Sequence, residues 1–205
     1  IFGTYEGSKT GECIFNGKKI NIKSAKEALK TGISMVPEDR KQDGIIADMS
    51  VEKNMTLSNL DSYTKAADYV DTYREKTDVR RYIDLLKIKT TSEDLAIKNL
   101  SGGNQQKVVL AKNLLVNPKI IILDEPTRGV DVGAKYEIYK NIVELAERGI
   151  SVIMVSSELP EVLGISDRII VMHEGEIKGE FINKDVTQEM IMEAAIVGGR
   201  NESGN

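Results

Sequence analysis

In the stretch Asn99-Leu100-Ser101-Gly102-Gly103-Asn104-Gln105-Gln106-Lys107, a serine and two glycines stand directly before the apolar run Val108, Val109, Leu110, Ala111, Leu114 and Leu115. That pattern begins a helix. Glycines there let another surface approach the first free N–H groups, whose orphan donors and positive dipole end form an anion site, with phosphate the usual anion. A second chemical stretch follows at Ile120-Ile121-Ile122-Leu123-Asp124-Glu125-Pro126. Four unbroken apolar residues predict a strand buried on both faces of a parallel sheet, with Asp124 and Glu125 delivered at its carboxyl end. One carboxylate there can hold a magnesium ion, directly or through water, and its neighbour can orient an attacking water for phosphoryl transfer.

The elements around these residues must hold them rigidly. Residues 108, 111, 115 and 107, 110, 114 form adjacent rows, which predicts one broad apolar face on the helix after Gly103. Pro118 ends that helix. Beyond Glu125, Asp131 is placed to cap a helix with Ile138, Ile142 and Leu145 on one face and a stop at Gly149. Ser151-Val152-Ile153-Met154-Val155 predicts another central strand, after which Ser156 or Ser157 caps a short helix with Pro160 and Glu161 in its first turn.

Upstream, Ile1-Phe2-Gly3 predicts a helix end, followed by a polar loop from Tyr5 to Thr10. Asn16-Gly17 between Glu12–Phe15 and Lys18–Ile22 predicts a hairpin at the edge of the fold. Ser24 caps a helix from Ala25 to Lys30 that Gly32 ends, and Ile33 to Val36 is a brief strand stopped by Pro37. The charge run Glu38-Asp39-Arg40-Lys41-Gln42-Asp43-Gly44 by composition is a solvated loop. Ser50 opens a helical region that continues from Tyr69 through Lys87. Tyr63, Tyr69, Tyr73 and Tyr82 are expected as packing or surface aromatics. Downstream, His173 sits in a turn between two alternating strands and receives no catalytic role. Val186 to Val197 predicts a helix, and Gly198 to Asn205 a flexible tail.

Leu-Ser-Gly-Gly, a Walker-B-like strand, Asp-Glu-Pro-Thr and Arg128-Gly129-Val130-Asp131, in that order, resemble the ATP-binding cassette (ABC) superfamily. A lone Ser-Gly-Gly would mean little, but the ordered set is specific. Asn104-Gln105-Gln106-Lys107, Thr127-Arg-Gly-Val-Asp-Val-Gly-Ala-Lys135 and Val155-Ser-Ser-Glu-Leu-Pro-Glu-Val162 resemble the second cassette of simple-sugar importers, the ribose, xylose and galactose group. The resemblance implies an α/β, P-loop NTPase-like nucleotide-binding domain over 1–205. Its expected parts are a mostly parallel sheet, an antiparallel edge ribbon and a helical subdomain at 50–117 carrying the signature. It implies ATP and Mg2+ as cofactors, Glu125 as catalytic residue, Asp124 at the metal, and Ser101, Gly102, Gly103, Gln105 and Asp131 at the nucleotide. Asp131 would both cap its helix and cross to a partner cassette.

The resemblance also marks departures. Glu38 stands where the family has a glutamine beside the metal, and Ser157 where it has a switch histidine. No Gly-x-x-x-x-Gly-Lys-Ser/Thr occurs in these residues, so the sheet is expected to lack the strand carrying that loop. With Ile1 rather than Met in first place, the chain reads as a piece of something longer. ABC cassettes work as face-to-face pairs, so this chain would lend Ser101 to Gly103 to a companion's phosphate cradle, its own site being weak or silent.

Composition sets the remaining bounds. Of 205 residues, 40% are hydrophobic and 29% charged, enough for one sizeable core. A net charge of −4 argues against nucleic acid as a partner. No apolar run approaches the roughly 20 residues that span a bilayer. The single Cys13 forbids an internal disulfide and is expected as a small buried hydrophobe. The expected role is an ATPase subunit energising sugar uptake from the cytoplasmic face of the membrane. Its expected partners are a companion cassette, permease subunits and, indirectly, a sugar-binding protein. Two alternatives are a non-transport ABC ATPase, which would usually show coiled-coil insertions or basic tails, and a nonenzymatic dimerisation module.

Overall fold

The computed structural model describes residues 10–65 and 69–198. The helix end read at Ile1 to Gly3, the loop from Tyr5 as far as Lys9 and the tail beyond Gly198 lie outside the described residues. The chain divides into two compact units between Val155 and Ser156.

In the first unit, Cys13–Phe15 (β1) and Lys18–Ile20 (β2) pair antiparallel, with Cys13 opposite Ile20. Asn16 and Gly17 have φ of +50° and +73°, the two left-handed residues of a type I′ turn. The second strand is shorter than expected, and Cys13 is half-buried rather than buried, because a two-stranded ribbon leaves one face open. Ala25–Thr31 (α1) follows, capped by Ser24 Oγ and closed by Gly32 at φ +91°.

Ile33–Val36 (β3), Ile120–Asp124 (β4) and Ser151–Val155 (β5) form a parallel sheet in the order β3-β4-β5. Met35 lies opposite Ile122, and Ile122 opposite Ile153. The Walker-B-like strand is therefore central among the described strands. β5, expected as central, lies at an edge, with Ile153 and Val155 47% and 51% exposed. The expected burial of β4 on both faces is also only partial. Ile121 and Leu123 are sealed, while Ile120 and Ile122 on the other side are half-buried.

Parallel strands need long crossovers. The first runs through Val51–Thr56 (α2), Thr72–Leu85 (α3) and Gly102–Leu114 (α4); the second is Val132–Glu147 (α5). Ser50 Oγ caps α2 and Asp71 caps α3. Glu75 is fully buried between α2 and α3, accepting from Thr56 Oγ1 at 2.6 Å and from Lys53 Nζ at 3.1 Å. Of the tyrosines, Tyr63 is buried with its hydroxyl donating to Asp78. Burial first, and the Asp78 charge second, push that hydroxyl up to about 12. Tyr82 donates to Leu114 O, and Tyr69 and Tyr73 are exposed.

The sequence predicts one apolar face for α4; the structure buries it nearly all round. The helix packs against β3, α2, α3 and α5, so Gln105, Lys107 and Asn113 are buried beside the apolar residues. Each is matched, as a buried polar group must be. Lys107 Nζ donates to Lys87 O at 3.1 Å and to Glu137 on α5 at 2.5 Å, and Asn113 Nδ2 donates to Val109 O.

The second unit holds Leu159–Ile165 (α6), Arg168–His173 (β6), Glu176–Ile182 (β7) and Gln188–Glu193 (α7). β6 and β7 pair antiparallel through Glu174-Gly175, both at positive φ, and Ile169, Val171, Ile191 and Ala194 form the core. The N-cap of α6 is Glu158, not Ser156 or Ser157. Ser156 Oγ instead accepts from Glu158 N and donates to Glu161, bracing the turn from outside the helix. The helix expected over 186–197 is divided, because Thr187 takes the cap and Ala194–Gly198 widens into a π turn.

Candidate functional site

Ser101 is the N-cap of α4, yet its side chain caps no backbone N–H. Its Oγ accepts from Asn104 Nδ2 at 2.9 Å, and the residue is exposed. The first N–H groups of α4 thus keep the partial positive charge that attracts an anion. Gly103 is buried: a Cβ there would lie 2.6 Å from the Ala134 Cβ. Only glycine lets the starts of α4 and α5 come this close. At Gly102 a Cβ would lie 2.7 Å from Arg40 Nη2.

Gln105 faces inward. Its Nε2 donates to Ile97 O and Leu100 O, and Asn104 Oδ1 accepts from Lys89 N, so both side chains hold the loop that delivers Ser101. Asp131 Oδ1 accepts from Ala134 N at 3.0 Å, capping α5 as its position in the sequence predicts.

At the carboxyl end of β4, Asp124 is half-buried opposite Val155. Burial first, then the charge of Glu125, raises the Asp124 carboxyl above its usual range. Glu125 N donates to Val155 O at 2.9 Å and carries the ladder one residue past the strand, at φ +44°. That left-handed value is uncommon for a residue with a Cβ, and such strain collects at functional positions. The chain then turns through buried Pro126 and Thr127, with Arg128 N donating to Glu125 O and Gly129 at φ +66°.

The charge run after β3 is more than a solvated loop. Asp39 Oδ1 caps a π turn, Arg40–Gly44, and Gly44 is buried with Lys112 Nζ donating to its carbonyl. Arg40 donates to Arg128 O and Gly129 O, and Glu38 pairs with Arg128. This contact is missed from sequence, where nothing marks the two backbone carbonyls it uses. Ser157 lies exposed in the second unit, and His173 is exposed at its hairpin turn.

Among the described residues no group of three or more His, Cys, Asp or Glu could hold a metal. Asp124 and Glu125 nonetheless fit magnesium, which takes one or two carboxylates and leaves its other positions to water and phosphate oxygens. A half-buried carboxyl held up in pKa by burial and by a neighbouring acid gains most from a cation.

The family description of ABC transporters matches residues 1–128. The chain is 56% identical over 196 residues to the xylose import ATP-binding protein XylG of Pectobacterium atrosepticum, 57% to that of Photobacterium profundum and 54% to that of Escherichia coli K12. Each match takes in 96% of the chain and 38% of the relative's length. Among solved structures it is similar to the ATP-binding cassette MJ1267 (TM-score 0.74, 25% identity, 94% of this chain and 76% of that one). It is also similar to the dimeric cassette MJ0796 in a post-hydrolysis state with ADP and Pi (TM-score 0.70, 25% identity, 86% and 75%).

Proposed function

The chain belongs to the ABC transporter family, and from that premise we propose that it is part of the ATP-binding subunit of a sugar importer. We assign residues 1–205 to one cassette, the second of its subunit, with a helical subdomain at 50–117. Xylose is the favoured sugar because the relatives are xylose import proteins. The reading is supported by a single observation: a helix start without a side-chain cap at the exposed Ser101 and a carboxylate pair at the rim of the parallel sheet belong to one packed unit.

In this proposal Ser101, Gly102 and Gly103 present α4's free N–H groups to the terminal phosphate of an ATP held in the companion cassette's cradle. Gln105 keeps their loop in place, and Asp131 faces the companion while capping α5. Asp124 would hold magnesium, which when bound neutralises charge developing on the phosphate oxygens. Glu125 accepts a hydrogen bond from the attacking water and aligns it with the phosphorus, the positioning on which phosphoryl transfer depends. With Glu38 in the glutamine's place and Ser157 in the histidine's, the chain's own site is slow or silent. No helix among the described residues is long and apolar enough to cross a membrane. The proposed place of work is the cytoplasmic face of the membrane, against permease subunits that take sugar from a binding protein.

Titration of Mg-ATP against this chain, with and without the companion cassette, tests the reading. Turnover is expected only with the companion, and Gly102→Asp should abolish it by placing a negative charge where a phosphate belongs. Equal turnover by the chain alone would refute the division of labour.

A further inference from the structure

Arg40 touches both chemical elements of the first unit. Its Nη1 donates to Arg128 O at 2.9 Å and its Nη2 to Gly129 O at 3.3 Å. The same Nη2 lies 2.7 Å from where a Cβ on Gly102 would stand. The guanidinium is thus wedged between the turn that starts α4 and the turn that runs from Glu125 to Asp131. The rest of its loop holds it there. Glu38 pairs with the Arg128 side chain, Asp39 caps the π turn, and Gly44 seats on α4, where its Cβ position lies 3.1 Å from Val109 and its carbonyl accepts from Lys112.

Two features separate this contact from ordinary surface pairing. A guanidinium offers a rigid planar fork, so donating to two successive carbonyls fixes the orientation of a turn as well as its distance. Its Nε is buried with no hydrogen-bond partner among the described residues, an arrangement that selection for stability alone would not favour. The guanidinium also lies in the space a Gly102 side chain would take, so an alanine there would have to displace it.

We infer that Arg40 is a positioning residue that sets the Glu125–Asp131 turn against the Ser101-Gly102 turn, coupling the nucleotide site served by this chain's carboxylates to the one served by its glycines. The inference rests on the function proposed above. A lysine, as a single point donor, cannot reproduce the fork.

The test uses the complete subunit containing this chain, paired with its companion cassette, and the variants Arg40→Lys, Arg40→Ala, Gly102→Ala and Arg40→Ala/Gly102→Ala. Arg40→Ala is expected to lower kcat at least about 10-fold by misplacing the Ser101-Gly102 turn that serves the companion's ATP, with KM for ATP held within about 2-fold and the Hill coefficient for ATP binding falling toward about 1. Arg40→Lys should recover only part of the loss. The double variant should be no worse than the poorer single one, because both changes break the same contact. Unchanged kcat and cooperativity in Arg40→Ala, full recovery by lysine, or losses that multiply in the double variant would each overturn the inference. If the wild-type pair neither binds nor hydrolyses ATP, the functional reading fails instead. Amide exchange then decides the geometry: Arg40→Ala should speed exchange at Gly129 to Asp131 by about 10-fold, and unchanged exchange would refute the clasp.

Discussion

Asp124 shows how a residue is held away from its most stable state. Its carboxyl is raised by burial and then by Glu125. A raised folded pKa means the native state binds the proton more tightly than the unfolded chain. Asp124 therefore favours folding at low pH, and that contribution is lost as pH rises through its folded pKa. Asp124→Asn should accordingly melt higher than the wild type at pH 7, and the gap in melting temperature should close as pH falls toward 3.8. A gap that stayed constant with pH would show the acid to be unperturbed. Glu125 carries a second local cost, its left-handed backbone at φ +44°. Glu125→Gly should be more stable than Glu125→Ala by roughly 1 kcal/mol in denaturant titrations, because both lose the carboxylate and only glycine relieves the strain. Equal stability of the two variants would mean that the backbone there is unstrained.

Among elements, α4 and α5 meet at Gly103, where the Cβ position lies 2.6 Å from Ala134. Gly103→Ala should push the helix starts apart and cost about 1–3 kcal/mol, read as a lower urea midpoint with unchanged m-value. Gly103→Ala/Ala134→Gly should recover most of that loss, because the space is merely exchanged. The α2–α3 contact depends on a buried charge instead. Burial alone would lower the Lys53 pKa, but hydrogen bonds with Glu75 and Glu52 outweigh it and leave the pKa raised. Lys53→Met would strip Glu75 of its cation and should destabilise by about 2 kcal/mol, below the usual cost of breaking a buried pair because Lys53 is half exposed. Combining it with Glu75→Met should restore stability, since paired apolar side chains need no counter-charge.

At the scale of the whole molecule, nucleotide binding should appear as a property of the cassette pair. At 100 times its Kd, Mg-ATP should stabilise a bound species by about 2.7 kcal/mol. The mixture of chain and companion should show the corresponding rise in melting temperature, and the chain alone far less. An equal shift in both would place a complete site within these residues.

The sequence by itself determined the local events. Asn16-Gly17 dictates its turn, Ser24, Ser50 and Asp131 cap their helices, Gly32 stops α1, and the apolar run before Asp124 makes a strand. Each follows from groups a few residues apart, whose preferences operate before any distant contact forms. The helix start at Ser101 and the acids at 124 and 125 were legible for the same reason. Only the tertiary structure decided which surfaces those elements share. It placed β5 at an edge and closed helices around α4 until its polar residues were buried. It turned Gln105 inward and laid Arg40 across two carbonyls nearly ninety positions away. A backbone carbonyl is alike at every residue, so nothing in the order of side chains tells an arginine which one it will find; only the fold brings a particular one within reach.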